Sequence, residues 1–265
     1  MTLLAVVMLL VCYAPTLRGM AEQWWNDADM GHGFLVLPVA LWIVWRRRKH
    51  WTELPPEPSW WGLAVLLGAA AIHLAAALGA GLFAASVAFL VSVAGMILCL
   101  RGFRLLRAWA FPLLLCIFML PKLAVVYNQM TLPLQLLASR MAAGILSATG
   151  LGVIREGNIL DIADRRVEVE AACSGIRYLL ALGFLGVVVA YISDPKPWMR
   201  TALLAAAVPL SILVNAVRVA AAAAWPALDS ETAHAGAGLL LLLASLAALS
   251  VARMFFNCMS GHRNA

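Results

Sequence analysis

Apolar residues run through this chain in long blocks, and polar residues collect in the gaps between them. A helix needs about 20 mostly apolar residues to cross the ~30 Å hydrocarbon layer of a bilayer. Blocks of that kind fall near 2–17, 33–46, 61–79, 82–100, 105–121, 176–192, 201–224 and 236–256, the first two being short. The pattern predicts an all-α polytopic membrane protein, a bundle of about eight transmembrane helices. The first block lacks a basic leader and is followed by further spans, so it reads as a retained helix rather than a signal peptide. No internal repeat or linker marks a second domain, and residues 1–265 read as one transmembrane domain.

One connection, roughly 122–175, is long. Its first part, 123–150, mixes apolar residues with Asn128, Gln129, Gln135 and Arg140, which suits an amphipathic interfacial or re-entrant helix. Its second part sets Ile154, Ile159, Ile162, Val167 and Val169 among charges. Gly157-Asn158 and Asp164-Arg165 are turn candidates there, so a small β-hairpin is expected.

Composition agrees with this picture. Of 265 residues, 64% are apolar and 12% charged, and the mean hydropathy is +0.91. Soluble domains are about 45–50% apolar and roughly 25% charged. The net charge of +6 could suggest nucleic acid, but its distribution points to a membrane and away from nucleic acid. Arg46, Arg47, Arg48, Lys49, Arg101, Arg104, Arg107, Lys196, Arg200, Arg253 and Arg263 all fall in alternate connections, with only Glu53, Glu57 and Asp194 as acids there. By the positive-inside rule both termini are cytoplasmic, and the 122–175 connection is outside.

Ionisable groups within spans are costly and are functional candidates by default. Arg218 sits in the apolar run SILVNAVRVAAAAAW, eight residues before Pro226. The alternative is an arginine that snorkels to the outer headgroups, but Asn215, at i−3 on the same helix face, favours a polar interior. Cys173 precedes Ser174-Gly175 at the mouth of the sixth span, where a helix N-terminus and Arg177 would favour a thiolate. Gly175 would let a ligand approach the backbone closely. The other cysteines, Cys12, Cys99, Cys116 and Cys258, are scattered in a way that fits neither a disulfide framework nor a metal site. His234 follows Asp229 and Glu231 at the outer entrance to the last span, and His32 stands outside at the start of the second. Cys173, Arg218 and His234 come from three helices yet share one face in this topology. Together they supply the nucleophile, oxyanion stabiliser and base of acyl transfer. Arg177, Asn215 and His32 are candidate substrate-binding residues. No metal or other cofactor is implied.

The segments AACSGIRYL, LVNAVRV and AHAGAG, in that order on successive helices, resemble the exosortase/archaeosortase family. The runs HGFLVLPVALWIVWRRR and FPLLLCIFMLP are also similar to it. The resemblance implies a membrane cysteine protease or transpeptidase acting on proteins with a C-terminal sorting signal. That signal is a short motif such as Pro-Glu-Pro, a transmembrane helix and a basic cluster. Its helix and membrane lipid would be the partners, and the location would be the bacterial inner membrane with the site facing the periplasm. On this resemblance Cys173 is the nucleophile, with Arg218 and His234 completing the site. Two other classes remain open: a transporter or flippase whose Arg218 binds an anionic solute, and a noncatalytic scaffold of an envelope-polysaccharide system.

Overall fold

In the computed structural model, residues 2–162, 165–192 and 197–225 are described, together with 236, 238, 240–241, 243–251 and 254. Two compact units divide the chain, 1–123 and 124–265.

The first unit holds helices α1 (Thr2–Cys12), α2 (Ala14–Asn26), α3 (Gly33–Arg46), α4 (Arg48–Thr52), α5 (Trp61–Ala75), α6 (Gly81–Arg101), α7 (Phe103–Ala108) and α8 (Ala110–Leu115). The block 2–17 is not one continuous helix but bends by 62° between α1 and α2. Pro15 explains the break, because it lacks an N–H and its ring collides with the carbonyl four residues back. Tyr13 at the corner is buried, with its hydroxyl 2.9 Å from Ser92 Oγ and its ring centroid 4.4 Å from that of His73. Pro112 ends α7 in the same way, so the block 105–121 becomes α7, α8 and a 3₁₀ turn, Cys116–Met119. Helices α5 and α6 lie close together because Gly62 faces the backbone of Cys99 with no room for a Cβ.

The second unit opens with α9 (Ala124–Ala148), a single helix of 25 residues. Strands β1 (Val153–Glu156), β2 (Ile159–Ile162) and β3 (Arg165–Glu168) follow as an antiparallel sheet in the order β1-β2-β3. A hairpin was expected, and the sheet has a third strand. Its register explains why. Val153, Ile162 and Arg165 are aligned across the sheet, as are Arg155, Leu160 and Val167, so one face carries the apolar set. That face packs on Ala138, Ala142 and Leu146 of α9 and on a further helix through its Val219, Ala220 and Ala223. The third strand packs the half-buried Val167 against this core, which a two-stranded hairpin would leave more open. The other face is wet and carries Ile154, Glu156, Asp161 and Arg166, the last 3.7 Å from both Glu156 and Asp161. Two bonds from α9 hold the sheet: Gln135 Nε2 donates to the Val169 carbonyl (3.2 Å) and Ser139 Oγ to that of Gly157 (2.9 Å). Helices α10 (Ile176–Ile192) and α11 (Pro197–Ala224) complete the unit, and Leu182 and Ala207 pack with Leu249 of the last segment.

By length and hydropathy, three stretches can each cross a membrane: Trp61–Gly79, Gly81–Arg101 and Trp198–Ala224. The number reaches five if Thr2–Cys12 with Ala14–Asn26, and Ala110–Met119 with Ala124–Ala148, each count as one broken span. Gly33–Arg46 and Ile176–Ile192 are apolar but shorter. The described residues therefore form a helical membrane protein with three to five candidate spans rather than eight full-length ones. Eight full-length spans are not shown among the described residues: Gly33–Arg46 and Ile176–Ile192 are short, Pro15 and Pro112 break two runs, and the run 236–256 lies partly outside the described residues.

Candidate active site

From Glu168 the chain continues through Val169 and Glu170, whose ψ of 167° is still extended, into the 3₁₀ turn Ala171–Cys173. The turn is closed by Cys173 N–H on the Glu170 carbonyl (2.9 Å) and Ser174 N–H on that of Ala171 (3.1 Å). Gly175 follows with φ +90°, a left-handed value that glycine adopts at little cost, and α10 starts at Ile176. Cys173 is thus held at the end of a strand and just ahead of a helix, half-buried, with its sulfur in the α9–sheet–α11 core.

Helix α11 supplies the facing groups. Asn215 and Arg218 are 1% and 4% exposed, one turn apart. The side-chain amide of Asn215 donates from Nδ2 to the Cys173 carbonyl at 2.8 Å, and Arg218 Nη2 lies 3.9 Å from Cys173 Sγ. The guanidinium also stands over the ring of Tyr178, 5.5 Å from its centroid. A buried cation is costly unless its surroundings are polar or electron-rich. Here a sulfur and an aromatic face provide that setting. Arg218 is buried inside the second unit rather than exposed on its surface.

The helix N-terminus does not dominate the thiol, because Cys173 precedes α10 by a turn. Burial pushes the thiol up, Glu170 adds to this, and the charges of Arg218 and Arg177 pull it down with less effect. A thiol held up in this way is activated by a base that takes its proton. His234, the expected base, lies outside the described residues, as does Cys258. His32 belongs to the first unit, where its Nε2 donates to the Phe118 carbonyl at 3.0 Å, and burial pushes its imidazole down. In the same unit Lys122 pairs with Asp27 (2.6 Å) and Asp29 (3.6 Å). Gly175 does admit a close neighbour, but that neighbour is Asn215 rather than a ligand: a Cβ there would stand 2.9 Å from the amide.

Tyr178 was not singled out from the sequence. It is 3% exposed, two residues into α10, and its hydroxyl would stand 3.0 Å from a Cβ at Gly238. The available signal was an aromatic residue one turn beyond Gly175, within reach of any cation that approached the helix start. Among the described residues no group of three or more His, Cys, Asp or Glu side chains could hold a metal.

Chemically, a thiol beside a buried guanidinium can form a thiolate once a base removes its proton, and the same cation can stabilise an oxyanion. A protein-family model described as transmembrane exosortase matches residues 24–251. No curated protein and no solved structure matches the chain. The family match contains Cys173, Tyr178, Asn215 and Arg218, and with it the chain belongs to the transmembrane exosortase family, whose members are membrane protein-sorting transpeptidases of the cysteine type.

Proposed function

We propose that this protein is a cysteine protease or transpeptidase of the bacterial inner membrane that cleaves C-terminal sorting signals of the Pro-Glu-Pro type. The observation that carries this reading is the 3.9 Å approach of the buried Arg218, through Nη2, to Sγ of the half-buried Cys173. The substrate's own helix docks beside the bundle and brings its motif to the periplasmic face. His234 takes the thiol proton. The thiolate attacks the scissile carbonyl, the carbon–sulfur bond forms, and Arg218 stabilises the tetrahedral oxyanion. The carbon–nitrogen bond then breaks, and the amine leaves with the proton held on His234. An amine, hydroxyl or water resolves the thioester and returns the thiol.

A solute-binding role for Arg218 in a transporter has less support, since the guanidinium is turned to Cys173 and Tyr178. Transport would also need Arg218 without needing Cys173. The test is to trap the intermediate. Protein co-expressed with a fusion bearing such a signal is quenched in acid, digested and analysed by mass spectrometry. A substrate fragment attached at Cys173 and released by neutral hydroxylamine is expected. A fragment attached elsewhere, or a processed substrate with no Cys173 adduct under any quench, contradicts the mechanism.

A further inference from the structure

We propose that Asn215 is a positioning residue, which pins the carbonyl of Cys173 and so keeps its sulfur in front of Arg218. The inference rests on the cysteine being the nucleophile. Only a donor can face a carbonyl oxygen, so the Asn215 amide must present its nitrogen to Cys173, and that nitrogen is occupied there at 2.8 Å. One of its two amide hydrogens is therefore committed to the backbone of the nucleophile itself.

Three further observations give the contact its purpose. No backbone amide among the described residues donates to the Cys173 carbonyl, because the 3₁₀ turn is closed by the carbonyls of Glu170 and Ala171 instead. Without Asn215 the peptide that follows Cys173 has no such anchor. The Asn215 side chain also reaches this carbonyl only because residue 175 is glycine, where a Cβ would stand 2.9 Å from Asn215 Cγ and Nδ2. Finally, Asn215 and Arg218 sit three residues apart on one rigid helix, so the group that holds the backbone and the group that faces the sulfur keep a fixed spacing. The Asn-x-x-Arg pattern on α11 thus works as a two-point gauge for the nucleophile. Small misplacement of a reacting group can cost on the order of 10² in rate, which is the scale of control such a gauge provides.

The test reads the thiol directly, without substrate. Full-length protein in detergent, with Cys12, Cys99, Cys116 and Cys258 replaced by Ala, is alkylated with iodoacetamide across pH, and Cys173 modification is followed by mass spectrometry. Arg218→Met should slow alkylation near neutral pH, because the thiolate loses its neighbouring cation. Asn215→Leu should slow it by about tenfold, equivalent to roughly one unit upward in the midpoint. Asn215→Leu added to Arg218→Met should slow it no further, since Asn215 acts through the Arg218–sulfur contact. Asn215→Ser serves as the second variant if the leucine disturbs folding, and the same pattern is expected of it. A profile for Asn215→Leu or Asn215→Ser that superimposes on the parent overturns the proposal. So does strict additivity with Arg218→Met. Failure of the sorting reading would show separately, as substrate processing that survives Cys173→Ala.

Discussion

Arg165 of β3 donates from Nη2 to the carbonyl of Ala222, 2.8 Å away, in the last turn of the helix that carries Asn215 and Arg218. A helix C-terminus leaves its final carbonyls without helical partners and carries partial negative charge, so a cation there is favourable twice over. The sheet is therefore fastened to α11 at the end nearest Arg218. Arg165→Met keeps the stem and removes the donor, and about 1–2 kcal/mol of stability should go with it. Thermal unfolding of the detergent-solubilised protein checks this: the variant should melt below the wild type.

Tyr178 gives a contrast between shape and electrons. Its ring lies under the Arg218 guanidinium, a contact worth about 0.5–2 kcal/mol depending on desolvation. Tyr178→Phe retains the aromatic face and should process substrate within a few-fold of wild type. Tyr178→Leu should be slower by about tenfold, roughly 1.4 kcal/mol of transition-state stabilisation. Equal rates for the two variants would mean that the ring acts only as packing.

Acidity of the Cys173 thiol has a definite sign. Burial raises its pKa above the ordinary thiol value and so makes the group a weaker acid. Between the unfolded and the higher folded pKa, the unfolded chain has released the proton while the native chain keeps it. Native stability from this group is thus intact below the unfolded value and falls as pH rises through that window. Stability measured with pH should decline in the alkaline range, and Cys173→Ala should flatten that decline. An alkaline decline unchanged by Cys173→Ala would place its origin in another group.

Replacing Arg218 by Lys keeps the charge but loses the planar fork, and a buried ammonium gives up its proton readily. Removal of one oxyanion donor costs about 10²–10³ in rate, or roughly 3–4 kcal/mol. Arg218→Lys should therefore insert and fold yet process substrate at least 10²-fold more slowly, with Arg218→Ala no better. Near wild-type processing by Arg218→Lys would reduce Arg218 to a source of bulk positive charge.

The sequence led to Cys173 and Arg218 on one face through the alternation of basic connections, with Asn215 at i−3 marking a polar interior around Arg218. What it hid were features set by geometry. The bend at Tyr13 and the split near Trp109 follow from single prolines inside apolar runs, which hydropathy alone counts as continuous. The third strand was hidden by its charges: Arg165, Arg166 and Glu168 mask Val167, the one apolar residue of β3 on the packed face. Tyr178 stayed out of sight because a cation–π contact has no spacing rule along the chain. The close fit of Gly175 was legible as a need for space, but not as space for Asn215.

The most direct measurement is cleavage of a co-expressed protein bearing a Pro-Glu-Pro motif, an apolar helix and a basic tail, compared between wild type, Cys173→Ala and Cys173→Ser at matched membrane levels. Loss of cleavage in both variants, with the uncut substrate accumulating in the membrane, is the predicted result. Cleavage by Cys173→Ala at the wild-type rate would contradict a nucleophilic role for Cys173.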